Sequence, residues 1–400
     1  MESPLQVQLH FAPDDIRPVG LLAQDGRRPL FQFDPAFLAS PLPISPFYLP
    51  AAPGVRTLDT GGGLETFGVF EDALPDGWGR RIIDAHFARA YGRPPTLLER
   101  FACVGENGMG ALTFHPILET KRTAHEIFNL DALAENALEF YDARVEDVLP
   151  ELRRAGGSSG GARPKVFVGF NPTTGKCCAE APALPDGFEH WIVKFATRDD
   201  GRHSGALEYA YSEIARVAGA DMSPCRLLES QEGRFFATRR FDRAASGKRL
   251  HTHSAAGLLH LDFRIAGNEY ADLFKLADAL THDYRAKQEL FRRAALNVLL
   301  HNRDDHLKNF GFLMDSAGMW ALSPFYDFTY NRGPGGRGGD ESRRSRFAAF
   351  GRKCPALFSR RQRNPVQSKG CLVGVSHSGK GHRHLCKCDK KHHGLTESKA

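Results

Sequence analysis

The segment from Asn302 to Asn309 has the residue types and the spacing that phosphoryl transfer requires. It reads Asn-Arg-Asp-Asp-His-Leu-Lys-Asn, so Asp304 precedes Asn309 by five positions. In the catalytic loop of kinases this spacing places an aspartate beside the attacking hydroxyl and an asparagine on a magnesium ion. Asp305 stands four positions from the asparagine, so the spacing favours Asp304 as the catalytic base. A solvated polar turn of the same composition is the structural alternative.

A second acidic residue, Asp327, lies inside the apolar stretch from Leu322 to Tyr330. A lone carboxylate in such a stretch is costly unless it is paired or binds a metal ion. A magnesium ion shared with Asn309 would be such a partner. The alternative is an aspartate held by backbone amides. We therefore predict Asn309 and Asp327 as metal ligands.

Glycines and a lysine upstream supply the groups that would bind phosphates. The stretch Gly156–Gly161 would let backbone N–H groups approach a phosphate closely, although a flexible linker has the same composition. About thirty residues later, Lys194 interrupts an apolar strand, as the phosphate-pairing lysine of a kinase does. A lysine on an edge strand is the alternative. Its partner is predicted on the following helix, with Glu208 favoured over Glu213.

The elements that must position these residues form a β-rich part followed by a helical part. Short alternating stretches in the first hundred residues predict a small, mainly β subdomain. Apolar residues at helical spacing predict a helix from Trp78 to Tyr91 with Asp76 as its cap, and a helical linker over residues 124–149. The predicted fold class is α+β, a bilobal protein-kinase-like fold preceded by the small β subdomain.

Composition places the chain among soluble globular proteins of two or three domains. It has 400 residues, of which 42% are apolar and 25% charged. It contains no run of eighteen apolar residues, and its first residues lack the features of a signal peptide, so we predict a cytoplasmic protein without membrane contact. The eight cysteines follow no disulfide framework and are predicted to be reduced.

The net charge is concentrated in the last seventy residues. From Asn331 onward there are 17 basic and 4 acidic residues, a net charge of +13, whereas the residues before it carry a net charge of −7. The sequence pI of about 8.9 therefore reports one atypical segment, and it is not evidence that the body of the protein binds nucleic acid.

Several short stretches, spread over most of the chain up to about residue 336, carry a family resemblance. They are residues 74–80 (Leu-Pro-Asp-Gly-Trp-Gly-Arg), 104–113 (Val-Gly-Glu-Asn-Gly-Met-Gly-Ala-Leu-Thr), 158–165 (Ser-Ser-Gly-Gly-Ala-Arg-Pro-Lys), 191–195 (Trp-Ile-Val-Lys-Phe), 302–309 and 324–329 (Pro-Phe-Tyr-Asp-Phe-Thr). Together they resemble the HipA-type serine/threonine kinase toxins of bacterial toxin–antitoxin modules.

The resemblance implies a domain order and a set of site residues. It implies a small N-terminal subdomain followed by a bilobal kinase-like fold. Together with the sequence pattern it predicts an N-terminal subdomain (1–115), a helical linker (116–150), a kinase-like N-lobe with the glycine loop (151–240) and a truncated helical C-lobe with the catalytic loop (241–336). The basic tail (337–400) departs from the family and is predicted to be disordered. The implied roles are a base, nucleotide contacts, metal ligands and an autophosphorylated serine. The base falls on Asp304. The nucleotide contacts fall on Gly160, Gly161, Ala162, Lys194 and His306. The metal ligands fall on Asn309 and Asp327, and the autophosphorylated serine falls on Ser158.

The resemblance also implies partners that the residues alone do not. ATP and Mg²⁺ are the expected cofactors. Family members phosphorylate aminoacyl-tRNA synthetases, so a protein substrate of this kind is expected. They also pair with a small DNA-binding antitoxin, through which contact with operator DNA would be indirect.

The tail departs from the family. The expected Gly-Pro-Gly-Gly turn is present at Gly333–Gly336, but no helical periodicity follows it, and four of the eight cysteines lie beyond it. We therefore hypothesise a frameshift near Gly336. One alternative is a zinc site that uses Cys386 and Cys388 with nearby histidines, although their spacing is too short for structural zinc sites. The other is a basic arm that binds nucleic acid non-specifically.

These observations leave three functions open. The first is an active serine/threonine kinase toxin. The second is a catalytically inactive nucleotide-binding remnant, caused by loss of the C-terminal helices. The third is a kinase of small molecules or lipids, because the same groups serve those acceptors.

Overall fold

The computed structural model describes most of the chain up to residue 331. The described residues are 3–58, 63–118, 127–145, 152, 155, 161–198, 200–201, 203–231, 233–244, 246–264 and 270–331. The predictions for Ser158, for Gly160 and for the tail from residue 332 onward, including the frameshift and the zinc site, lie outside these residues.

The N-terminal strands form one antiparallel sheet. They are β1 (Leu5–Ala12), β2 (Asp15–Asp25), β3 (Arg28–Phe33), β4 (Val55–Thr57) and β5 (Leu112–His115). Their order in the sheet is β4-β3-β2-β1-β5. In β1 the side chains of Leu5, Val7 and Leu9 are buried and the residues between them are not, as the alternating pattern predicts.

Helices cover this sheet and continue beyond it. They are α1 (Pro35–Ala39), α2 (Gly68–Glu71), α3 (Gly77–Tyr91) and α4 (Leu97–Val104). The start of α4 is a capping box, in which Thr96 and Glu99 exchange side-chain and backbone hydrogen bonds. The bounds of α3 confirm the predicted helix from Trp78 to Tyr91.

The second sheet contains Lys165, which follows the glycine loop in sequence, and Lys194, the lysine predicted to pair with phosphates. Its strands are β6 (Ile127–Phe128), β7 (Lys165–Phe170), β8 (Cys177–Ala179), β9 (Glu189–Lys194), β10 (Cys225–Glu229) and β11 (Arg234–Arg239), in the order β10-β11-β9-β7-β8-β6. Strands β7 and β9 are antiparallel, with Lys165 opposite Lys194. Helix α6 (Ser204–Val217) packs against β10 and β11.

The linker is only partly helical. Helix α5 (Leu130–Tyr141) occupies its centre, but Ile127 and Phe128 form β6 and pair with β8. The prediction of a continuous helix is wrong at these two residues. A β-branched and an aromatic side chain favour a strand, and β8 offers them a free edge.

The helical part carries a small sheet. Its helices are α7 (Ala255–Leu258), α8 (Tyr270–Thr281) and α9 (Tyr284–Leu299), and its strands are β12 (His251–Ser254), β13 (Gly311–Met314) and β14 (Trp320–Leu322). The order is β12-β13-β14, and a 3₁₀ turn at Leu307–Asn309 leads into β13. Asp283 caps α9 through the N–H of Arg285.

The N-terminal residues share apolar cores with both later parts. One core includes Val7 and Phe31 of the first sheet with Leu290 and Phe312 of the helical part. A second core includes Trp78 and Ile82 of α3 with strands β7, β9 and β11. The first hundred residues therefore contribute to the packing of both parts that carry the predicted site.

The mixture of helices and antiparallel sheets confirms the predicted α+β class. Within the described ranges, no helix is both long enough and apolar enough to cross a membrane.

Candidate active site

Lys194 is the centre of an ion-pair cluster at the end of β9. Its Nζ lies 2.6 Å from Oε1 of Glu208 on α6 and 2.5 Å from Oδ1 of Asp327. Glu213, the other candidate on this helix, pairs instead with Arg216. The helix thus presents Glu208 to the lysine, as the sequence favoured.

Lys194 and Asp327 keep their charges at neutral pH. Burial alone would lower the pKa of Lys194, but the carboxylates of Asp327 and Glu208 outweigh burial and hold that pKa above its usual value. The ammonium of Lys194 holds the pKa of Asp327 well below its usual range, against the effect of burial. Asp327 is therefore a carboxylate that can bind a cation.

The backbone around Asp327 is unusual for a non-glycine residue. Its φ is 55°, in the left-handed region, and it follows the buried Phe325 and precedes the buried Phe328. Its side chain is 39% exposed. Among the described residues, the carboxylate accepts hydrogen bonds from Lys194 and from no backbone amide. The alternative in which backbone amides satisfy this aspartate is therefore not the arrangement seen.

Side-chain amides hold the catalytic loop in shape. Asn302 is buried and donates from Nδ2 to Oδ1 of Asn297 at 3.0 Å. Its Oδ1 accepts the backbone N–H of Asp304 at 3.3 Å. Asn309 donates from Nδ2 to the carbonyl of Asp304 at 2.7 Å. Both ends of the loop are thus tied to the backbone of Asp304.

The two adjacent aspartates have different surroundings. Asp305 accepts a hydrogen bond of 2.5 Å from the hydroxyl of Tyr270 on α8. The Asp304 side chain is 58% exposed, and its Oδ1 lies 3.8 Å from Nε2 of His306. Asp304 is therefore the aspartate that an incoming hydroxyl group can reach.

His306 and Asn309 retain unused hydrogen-bonding atoms. Nδ1 of His306 is buried and has no partner among the described residues. The charge of His306 also contributes to the low pKa of Asp327, so the two side chains lie within electrostatic reach. Since the amide nitrogen of Asn309 is engaged, its oxygen remains available to a cation.

These atoms fit a magnesium ion that is bound together with phosphates. Mg²⁺ takes oxygen ligands and is commonly held by one or two protein groups plus substrate phosphates. Asn309 and Asp327 provide one amide oxygen and one carboxylate. No group of three His, Cys, Asp or Glu side chains suited to a metal ion occurs in the described part of the chain, as expected for such a sparse site.

A second lysine, Lys165, belongs to the same cluster. It lies opposite Lys194 on the neighbouring strand and is 8% exposed. Burial and, next, the charge of Lys194 lower its pKa. A Cβ atom at Gly161 would lie 2.5 Å from its Nζ, so the end of the glycine loop touches this lysine. Sequence reasoning missed Lys165, because a lysine at the first position of a strand is ordinary.

Gly161 and Ala162 form the described end of the glycine loop. Gly161 has φ of 85°, a conformation that glycine adopts without strain. Its N–H donates to Oδ1 of Asp76, and its carbonyl accepts the N–H of Trp78 at 2.8 Å. Gly161 approaches Lys165, and Lys165 lies opposite Lys194 in the strand register, so Lys165 connects the end of the glycine loop with the Lys194 cluster.

Asp76 does not cap α3 as predicted. It occupies the N-cap position, but none of the N–H groups of α3 donates to its side chain. One oxygen accepts the N–H of Gly161, and the other lies 3.0 Å from Nζ of Lys308. The prediction of a cap was wrong because two stronger partners, a loop amide and an ammonium, reach the carboxylate from other parts of the chain.

Comparison with protein families gives two matches. The profile described as "HipA-like C-terminal domain" matches residues 157–365, and the one described as "HipA N-terminal domain" matches residues 14–115. The first covers more than half of the 400 residues and extends past Gly336, where the sequence pattern changes.

Similar curated proteins are described as kinases. A putative kinase of Haemophilus influenzae is 31% identical over 135 residues, covering 30% of this chain and 39% of the relative. The serine/threonine-protein kinase toxin HipA of Shewanella oneidensis is 26% identical over 191 residues, covering 42% of each chain. The putative kinase Y4dM of Sinorhizobium fredii is 28% identical over 153 residues, covering 34% and 36%. The chain thus spans about two-fifths of the length of the curated relatives it matches.

A solved structure has the same fold. It is the Shewanella oneidensis toxin–antitoxin complex of HipA, HipB and operator DNA, matched with a TM-score of 0.59 and 18% identity. The match covers 82% of this chain and 76% of that chain. At this identity the likeness is one of fold.

Proposed function

The chain belongs to the HipA family, and on that premise we propose that it is an ATP- and Mg²⁺-dependent serine/threonine protein kinase, the toxin of a toxin–antitoxin module. One observation carries the proposal. Lys194 joins Glu208 and Asp327, beside a catalytic loop that exposes Asp304. Phosphoryl transfer needs a cation that binds phosphate, a partner for that cation, a metal ligand and a base. Lys194, Glu208, Asp327 and Asp304 would fill these four roles in that order.

The nucleotide would bind through groups on β7, β9 and the glycine loop. The ammonium groups of Lys194 and Lys165 would neutralise its phosphates, and the backbone at Gly161 and Ala162 would approach them closely. The buried and unpaired Nδ1 of His306 would gain a partner from the same ligand. The two lysines are cations, which suit a polyanion, and the N–H of Ala162 could donate to it, since the N–H of Gly161 already donates to Asp76.

The magnesium ion would be held by Asn309 and Asp327. When bound, it would neutralise the charge that develops on the transferred phosphoryl group. The low pKa of Asp327 supports this role, since the carboxylate needs no deprotonation before it binds the ion.

Asp304 would act as the base. The incoming serine or threonine hydroxyl would donate a hydrogen bond to its carboxylate, and the proton would pass to Asp304 as the phosphorus–oxygen bond forms. The bond between the γ-phosphorus and its bridging oxygen would break, and ADP would leave. The amide contacts of Asn302 and Asn309 fix the backbone of Asp304, so its carboxylate needs little reorganisation.

The substrate and partners follow from the family and extend the proposal. We propose an aminoacyl-tRNA synthetase as the protein substrate and a small DNA-binding antitoxin as the partner, with indirect contact to operator DNA and a cytoplasmic location. The structural neighbour, solved with HipB and operator DNA, supports the antitoxin and the operator DNA as partners. Ser158 in the glycine loop is the proposed site of autophosphorylation.

Label transfer from γ-³²P-ATP tests the activity. The full chain is incubated with Mg²⁺ and a bacterial lysate, alongside an Asp304→Asn control, and ATP binding is measured separately by calorimetry. We expect labelled protein bands that the variant reduces by about 10²- to 10⁴-fold. Binding of ATP with no transfer to any protein would establish the inactive remnant instead, and label in lipids or small molecules the third alternative.

A further inference from the structure

The segment from Leu74 to Arg80 carries part of the family resemblance but has no role in the reaction proposed above. It lies at the start of α3, in the N-terminal part of the chain. Its residue Asp76 is placed where a helix-capping aspartate belongs, yet its side chain accepts nothing from α3. An N-cap aspartate normally accepts the N–H groups of the first helical turn. The side chain of Asp76 instead binds groups outside α3.

Both oxygens of Asp76 bind groups that belong to the candidate site. Oδ1 accepts the N–H of Gly161, at the end of the glycine loop. Oδ2 lies 3.0 Å from Nζ of Lys308, which stands between Asp304 and Asn309 in the catalytic loop. A single carboxylate therefore spans the two loops that must close on a nucleotide.

The neighbours of Asp76 hold the same loop end. The N–H of Trp78 donates to the carbonyl of Gly161 at 2.8 Å, and its Nε1 donates to the carbonyl of Lys165 at 3.0 Å. A Cβ atom at Gly77 would lie 2.6 Å from that carbonyl of Gly161, so only glycine allows this approach. Asp76 and Trp78 thus form hydrogen bonds with the backbone that leads from the glycine loop into β7, and Gly77 between them allows the close approach.

The ion pair with Lys308 is shielded from solvent. The side chains of Lys308 and Asp76 are 18% and 19% exposed. A pair this enclosed is weakly screened by salt.

We propose that Asp76 is a positioning residue that holds Gly161, at the described end of the glycine loop, close to Lys308 of the catalytic loop. It acts through Gly161 and Lys308, and through it the N-terminal part of the chain controls the geometry of the phosphate site. The proposal rests on the proposed kinase function, because it assigns the phosphates to this site. It adds that the kinase lobes alone do not form a competent site.

Two variants separate the two contacts. Asp76→Ala removes both partners, whereas Asp76→Asn keeps an oxygen for the Gly161 N–H and loses the charge that faces Lys308. The matched control is Asp84→Asn, on the same helix, which breaks an ion pair of 2.9 Å with Arg100 and lies outside the site. All measurements use the full chain.

Nucleotide affinity and loop protection are the readouts. We expect Asp76→Ala to raise the Kd for a fluorescent ATP analogue at least 10-fold and to speed hydrogen exchange in the peptide that contains Gly161. Asp76→Asn should show a smaller rise in Kd, with exchange close to wild type. Asp84→Asn should leave both unchanged, even where its Tm falls.

The outcome is decisive in either direction. If Asp76→Ala has the Kd and exchange rates of Asp84→Asn, Asp76 is only a clamp between parts of the fold, and the proposal fails. If Asp76→Ala does not fold, the comparison of Asp76→Asn with Asp84→Asn decides: an unchanged Kd for Asp76→Asn then overturns the proposal. Because binding is measured without turnover, a chain that binds ATP but transfers no phosphate would overturn the kinase activity and leave this test intact.

Discussion

Two groups of charged side chains in this protein differ in how far they reach solvent. The first, here named the anchor cluster, consists of Arg240, Asp242, Glu180 and His190. The second, the Lys194 cluster, consists of Lys194, Glu208, Asp327 and Lys165. Both combine burial with shifted pKa values, so neither property tells them apart.

In the anchor cluster, Arg240 and Asp242 are closed off from solvent. Arg240 donates from all three guanidinium nitrogens, to both oxygens of Asp242, to Glu180 at 3.0 Å and to the carbonyl of Gly108. Asp242 also accepts the N–H of Gly110 at 2.7 Å. The side chains of Arg240 and Asp242 are both 0% exposed. This cluster ties the turn before β5 to the end of β11.

The Lys194 cluster is open. Asp327 uses one oxygen on Lys194, and its other oxygen has no partner among the described residues. Its side chain reaches solvent, and so does that of Asp304 in the adjacent loop. Polar atoms with access to solvent can accept a ligand, whereas Arg240 and Asp242 have no such access. Access to solvent therefore separates the candidate site from the structural ion pair.

The largest expected effect is on stability, from breaking the anchor cluster. Asp242→Ala leaves Arg240 charged and buried without its main partner, and loss of one member of a buried pair costs about 3–5 kcal/mol. Urea unfolding followed by circular dichroism measures the loss. A cost below about 1 kcal/mol would show that this cluster is no more structural than the Lys194 cluster.

The next effect is on activity, from the Lys194 cluster. Asp327→Asn should reduce label transfer by about 10³-fold, equivalent to about 4 kcal/mol in the barrier, because it removes a carboxylate from the proposed metal site. Stability should change little, since Glu208 remains beside Lys194 and Asp327 is partly exposed. A large fall in stability without loss of label transfer would mean that the Lys194 cluster is structural and is not an active site.

A smaller effect depends on pH and concerns Glu71, which lies on α2 in the electrostatic field of Lys308. Burial is the main cause that raises the pKa of Glu71 from 4.5 to about 6. The folded protein therefore binds this proton more tightly than the unfolded chain does. The associated stability is full below pH 4.5 and is lost as the pH rises through about 6.

Glu71→Gln should remove this dependence. We expect the variant to be more stable than the wild type by about 2 kcal/mol at pH 8, with no gain at pH 4. Thermal unfolding between pH 4 and pH 8 measures the difference. If the gain in stability is the same at both pH values, burial does not raise the pKa of Glu71, and this prediction is wrong.

The smallest effect is a control for damage to the N-terminal part. Thr96→Ala removes one half of the capping box of α4 and should cost about 1 kcal/mol of stability. Affinity for the ATP analogue should not change, in contrast to Asp76→Ala. A loss of affinity in Thr96→Ala would mean that any destabilisation of this part reaches the site, and the specific role of Asp76 would lose its support.

Local patterns were sufficient for most elements. Helix α3 begins and ends within one residue of its predicted positions. The strand at Ile127–Phe128 was missed, because pairing with β8 decided it. A two-residue strand has too little periodicity of its own to be read from the sequence.

For the site, residue type and spacing predicted the individual groups but not all of their contacts. Asp304 was chosen over Asp305 by counting positions, and the hydroxyl that engages Asp305 comes from Tyr270 on another element. Lys165 has no distinguishing pattern, and it became part of the site only through its strand register with Lys194.

The sequence by itself determined the family, the α+β class and the chemical groups available for phosphoryl transfer, because these depend on residue types at fixed spacings. Only the tertiary structure decided which groups meet. Asp76 stands 85 positions before Gly161 and 232 before Lys308, yet one carboxylate joins them. Local propensity assigns that aspartate to the helix that follows it. Packing of α3 against β7 and the catalytic loop supplies stronger partners, and the competition between those two environments is settled only in the folded chain.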